Sequence, residues 1–135
     1  MKKTIIILLG SIYFMNAYSY NEDCDIDSLF KANFTYLQNV IGDSQEDAIV
    51  LEENCVKFLY VVSLLSEENF SINPHNVTIN NSILSKIKHW YQVKREYITC
   101  EKLEKAYSLL IPPLFKSHED IEEYSIELEK LKIRD

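Results

Sequence analysis

The sequence predicts an all-α protein, a single bundle of about five helices that follows a cleaved signal peptide. Three observations carry this. Beyond residue 19 the chain holds one glycine, Gly42, and three prolines, Pro74, Pro112 and Pro113, whereas a sheet needs turn residues at short intervals. Its apolar residues recur at steps of three and four, the period of a helical face. The first 19 residues have the tripartite build of an export signal, and 135 less 19 leaves 116 residues, enough for one domain with its own core.

Lys2 and Lys3 form the basic start of that signal. Residues 4–15 follow as an apolar run, and Ala17 and Ser19 supply small residues where a signal peptidase reads. The run is too short to cross a hydrocarbon core of about 30 Å, which takes about 20 apolar residues. The chain therefore divides into a signal peptide over 1–19 and a helical domain over 20–135. Residues 19–23, ahead of Cys24, lack the apolar and small residues of a lipobox. The expectation is a secreted or periplasmic domain with no stable membrane association after cleavage.

Ile26, Leu29, Phe30, Asn33, Phe34, Leu37 and Ile41 form the first helical stripe. Asp25 or Asp27 caps its start, and Gly42 stands where a left-handed C′ residue ends a helix. Ser44-Gln45-Glu46-Asp47 resembles a capping box. It opens a second helix with Ala48, Leu51, Cys55, Phe58, Leu59, Val62 and Leu65 on one face. Val56, Tyr60, Val61 and Leu64 add apolar surface on its other sides, which predicts the central helix of the bundle. Residues 66–81, rich in Asn and Ser, read as a long loop of a length that is often functional.

Ile83, Leu84, Ile87, Trp90, Tyr91 and Tyr97 mark a third helix. Thr99 caps a fourth, with Cys100, Leu103, Ala106, Tyr107 and Leu110 in one stripe, and Pro112-Pro113 stops it. Ser117-His118-Glu119-Asp120 opens a fifth, carrying Ile121, Tyr124, Leu128 and Leu131. That stripe is narrow and its flanks are charged, which predicts packing at the edge and a frayed end.

The domain beyond residue 19 carries 21 acids and 12 bases, a net charge of −9. This argues against nucleic acid and against an anionic membrane, because both require a basic footprint. The charge is segmented. Residues 22–53 hold nine acids and one lysine, residues 117–135 seven acids and three bases, while residues 86–105 hold six bases against three acids. Solvated faces that complement one another within the domain account for this; an acidic docking face in the first third is the sharper alternative.

Three cysteines in an exported chain allow one bridge and one spare thiol. Cys55 and Cys100 fall on apolar stripes and have a packing role, whereas Cys24 has none. Cys24 is therefore expected in the bridge, with Cys55 as the favoured partner; sequence does not fix the connectivity. His75, His89 and His118 show no i, i+4 pair for a metal. Asp23, Asp25 and Asp27 alternate as in a calcium loop but lack its glycine and its late Glu. No G-x-S-x-G elbow or Cys–His signature is present. The expectation is no catalytic residue, no metal, no cofactor and no enzyme.

Four N-x-S/T triplets begin at Asn33, Asn69, Asn76 and Asn80; the last three, in the loop region, are glycan acceptors only in a eukaryotic secretory pathway, and Asn33, within the first predicted helix, reads as coincidence. The densest aromatic patch is Trp90-Tyr91 with Arg95 and Tyr97, the residue types that interfaces favour. Tyr91, Arg95 and Tyr97, with Phe70 and His75 of the long loop, are the candidate contacts for a protein partner.

Phe58-Leu59, Trp90-Tyr91 and Lys94-Arg95-Glu96 together resemble small exported helical proteins of bacteria, in which a Phe-Leu helix precedes a Trp-Tyr helix with a basic tail. The whole plan is similar to periplasmic immunity proteins, which neutralise toxins that rival cells inject by type VI secretion. A second resemblance is to insect odorant-binding proteins. It rests on Cys55-Val56-Lys57-Phe58-Leu59 and Leu103-Glu104-Lys105-Ala106-Tyr107, each lacking one of that family's cysteines. By spacing, this chain keeps that family's first, second and fourth cysteines, so none of the family's bridges can form.

The functional expectation is an exported, non-catalytic binding protein, most concretely of the immunity or inhibitor type, that engages a partner protein outside the cytoplasm. The alternative is a secreted helical carrier of a small apolar ligand, enclosed by aromatic residues such as Phe30, Phe58, Trp90 and Tyr107.

Overall fold

The computed structural model describes residues 24–43, 49–70, 72 and 79–134. Helix α1 spans Ile26–Asp43, α2 Glu53–Leu65, α3 Asn81–Lys94, α4 Cys100–Ser108 and α5 His118–Leu131. A 3-10 turn over Arg95–Tyr97 joins α3 to α4. The described residues form an all-α bundle of five helices, with no strand among them. The signal segment, the 44–47 capping box and His75 lie outside the described residues.

Short polar side chains start four of the helices by accepting otherwise unpaired first-turn amides. The Asp25 carboxylate accepts the Ser28 amide at 3.0 Å and the Ser28 hydroxyl at 2.8 Å. The Asn80 side chain accepts the Ile83 amide at 2.9 Å, and Thr99 accepts that of Lys102 at 3.1 Å. Ser117 and Asp120 form a reciprocal capping box.

The end of α1 and the start of α2 depart from the expectation. Gly42 is not a C′ residue, since α1 continues through it to Asp43. Helix α2 begins at Glu53, later than the stripe from Ala48 predicts. Glu52 is held extended there because its amide donates to the Tyr36 hydroxyl of α1 at 3.0 Å. A tertiary hydrogen bond thus takes the amide that a longer helix would use.

Helix α2 is central: Cys55, Phe58, Leu59, Val61, Val62 and Leu65 are all buried. It packs on α4 and α5, while α1 packs on α3 and α4 on α5. Phe30 and Leu37 of α1, Leu84, Ile87 and Trp90 of α3, and Leu103 and Ala106 of α4 close the core around it. The segment after α2 is not wholly surface loop. Phe70 and Ile79 are both buried, and Phe70 meets the edge of Trp90 at 6.3 Å between ring centroids.

The end of α5 is stitched down where a frayed end was expected. Leu131 and Ile133 are buried, and Ile133 pairs with Ser66 in an isolated parallel bridge through its amide to the Leu65 carbonyl at 2.7 Å. The Lys132 ammonium donates to the Ser63 and Ser66 carbonyls at 3.4 and 3.2 Å. A cation at the carbonyl end of α2 complements its dipole.

The bridge expected at Cys24–Cys55 is corrected to Cys24–Cys100, with 6.1 Å between Cα atoms. The cause is topological. Because α1 packs on α3, the 3-10 turn that follows α3 brings the first residue of α4 back beside the start of α1. Cys55 faces the core instead, 3 % exposed and free, and burial pushes its thiol up to about 12. No helix among the described residues is long and apolar enough to cross a membrane.

Candidate functional site

The acidic first turn of α1 and the basic end of α3 meet. Arg95 donates to Asp27 through Nε at 2.6 Å and Nη2 at 3.2 Å, a bidentate fork, and the Tyr91 hydroxyl donates to the same carboxylate. Arg95, then Tyr91, holds the Asp27 carboxyl below the usual carboxylate range. Burial, then the bond to Asp27, pushes the Tyr91 phenol up to about 12. With the disulfide three residues upstream, this clamp fixes where α1 starts against α3 and α4.

Tyr91 is also a packing residue. Its ring stacks on Phe30 at 4.1 Å, and Phe30 in turn meets Phe34 and Phe58 edge-on at 5.8 and 4.9 Å. Four rings from α1, α2 and α3 thus fill the space between those helices. Such pairs add about 0.5–1.5 kcal/mol each beyond the area they bury.

Beside the clamp, α1 and α3 leave an open groove of about 470 Å³. Asp27, Lys31, Phe34, Thr35 and Gln38 line one wall and Lys88, Tyr91 and Gln92 the other. The α1 residues share one helical face, as i, i+4, i+7, i+8 and i+11 must. Phe34 and Tyr91 form the apolar floor, and the Lys88 ammonium lies 5.9 Å from the centre of the Phe34 ring. Thr35, Gln38 and Gln92 supply hydroxyl and amide groups along the rim.

The clamp unites two of the partner-contact candidates, Tyr91 and Arg95, on Asp27, and of the two Tyr91 lines the groove. Tyr97 sits apart on the 3-10 turn and is exposed. Phe70 is corrected from contact to core, since the segment turns it inward against Trp90. Asp27, Lys31 and Lys88 were not singled out as contacts by sequence. Their signal was the second, polar face of α1 and α3, which becomes a site only once those helices are known to pair.

Two other surfaces bear on function. A pocket of about 80 Å³ touches Trp90 and is lined by Ser66, Glu67, Glu68, Lys94 and Ile133. At the α4–α5 joint, Ile111, Leu114 and Ile121 are exposed around Pro112-Pro113. Among the described residues no cluster of His, Cys, Asp or Glu has the arrangement of a metal site. No protein-family model matches the chain, and no curated protein or solved structure matches it significantly.

Proposed function

We propose that this is an exported, non-catalytic binding protein that engages a partner protein outside the cytoplasm, most concretely as an immunity or inhibitor protein. The observation that carries the reading is the α1–α3 groove. It is open along its length, carries polar groups on both rims over an aromatic floor, and is held in shape by a disulfide and a bidentate ion pair. A preformed open groove suits a protein segment, because little ordering is left to oppose binding.

The carrier of a small apolar ligand has less support. The rings that would line its cavity pack against one another, and the pocket touching Trp90 measures about 80 Å³, against roughly 300–1,000 Å³ for ligand sites; the α1–α3 groove has the volume but is open to solvent, where an apolar ligand would not be enclosed. The disulfide supports an oxidising compartment.

A photo-crosslinking residue at Gln92, in protein recovered from the exported fraction, tests the reading. One protein joined at fixed stoichiometry, whose toxicity this chain suppresses, is the expected result. Recovery of a lipophilic molecule in place of any protein would overturn it.

A further inference from the structure

We propose that the α1–α3 groove receives an acidic segment of the partner, with Lys31 and Lys88 as the anion-binding pair; this rests on the partner-binding reading. The charge of the groove is not that of the protein. Asp27 is neutralised by Arg95, so the two lysines set the local sign. Among the described residues neither lysine has a carboxylate within ion-pair distance, whereas Lys57, Lys105 and Lys130 each have one and Arg134 has two. Lys31 and Lys88 come from different helices and converge on the same groove.

The surroundings favour a carboxylate-bearing segment over other anions. A net charge of −9 beyond residue 19 opposes the approach of a polyanion or a lipid surface, for which two lysines give too small a footprint. The same acidic surface rejects an acidic partner everywhere except at the groove, which sets register as well as attraction. From Asp27 to Gln38 the wall runs eleven residues, about 16 Å at the helical rise, the reach of about five extended residues. The Phe34–Tyr91 floor accepts an apolar side chain between the acids.

Titrating the isotope-labelled protein, residues 20–135, with a short repeating Glu-Glu-Leu peptide tests this by amide shifts. Shifts should cluster at Lys31, Thr35, Lys88 and Gln92 and weaken as salt rises. Binding should fall by about tenfold or more in K31E/K88E and in the milder K31Q/K88Q, while K116E, a remote exposed lysine, binds as the parent. Unchanged Trp90 fluorescence reports that each variant is folded. Scattered shifts, equal binding by the double variants, or the same groove shifts with a Lys-Lys-Leu peptide would overturn the proposal. The titration needs no natural partner, so it fails separately from the crosslinking experiment.

Discussion

Replacing both bridge cysteines, C24S with C100S, isolates what the covalent tie contributes. The bridge closes a loop with a sequence separation of 76, which in the chain-entropy relation is worth about 4.5 kcal/mol of unfolded-state entropy. A Cys24–Cys55 bridge would be worth about 3.7 kcal/mol by the same relation. The native contacts of α1 survive the change, since Phe30 and Leu37 stay buried and Asp27 still holds Arg95. Residual structure in the unfolded chain lowers that ceiling, so the expected loss is about 3–4 kcal/mol, nearly all of it from the unfolded side. Urea unfolding read by Trp90, the sole tryptophan, measures it, with m near 2 kcal/mol/M and a midpoint lower by about 1.5–2 M. Native helical content should not change, and the parent protein in reductant should match the variant. A midpoint shift under about 0.5 M, or a peptide map joining Cys24 to Cys55, would refute this account.

Four further outcomes follow from the packing and the charges. Phe30→Ala empties the centre of the four-ring cluster and should cost about 3–5 kcal/mol; a urea series showing under 1 kcal/mol would contradict that placement. Lys130 and Lys105, both at 2.9 Å, hold the Glu127 carboxyl down at about 2 against an ordinary 4.5. Its contribution is complete above pH 4.5 and is lost as pH falls toward 2, so Glu127→Gln should flatten that part of the stability–pH curve. The Cys55 thiol should resist a disulfide reagent until the protein unfolds, and a rapid reaction in the native state would show it exposed. I111S/L114S should change the melting free energy by no more than about 0.5 kcal/mol, as substitutions at exposed sites do.

The helices were legible wherever a stripe and a cap agreed. Thr99 and the Ser117–Asp120 box announced α4 and α5 locally, because a cap needs only the amides two or three residues on. The start of α2 was hidden, since it depends on a hydroxyl from Tyr36, sixteen residues away. Phe70 was hidden by its Asn- and Ser-rich neighbours, which describe the surface of the segment and not the one ring it inserts. Of the segmented charge, two ion pairs, Asp27–Arg95 and Lys105–Glu127, join the acidic ends to the basic middle. The groove and the bridge both depend on α1 lying against α3, a pairing that periodicity does not encode.

The bridge joins the first cysteine to the third and passes over the second, which bears on the order in which thiols reach an oxidant. In a chain that crosses a membrane amino end first, Cys55 emerges 45 residues ahead of Cys100. In such a chain Cys55 is the one thiol available to Cys24 until Cys100 arrives on the same side. The core that buries Cys55 is closed by residues of α3, α4 and α5, so thiol–disulfide exchange is the route by which a Cys24–Cys55 bond would pass to Cys100. For an exported chain, accurate maturation would thus turn on that exchange, and a chain lacking the Cys55 thiol would have no wrong bond to exchange.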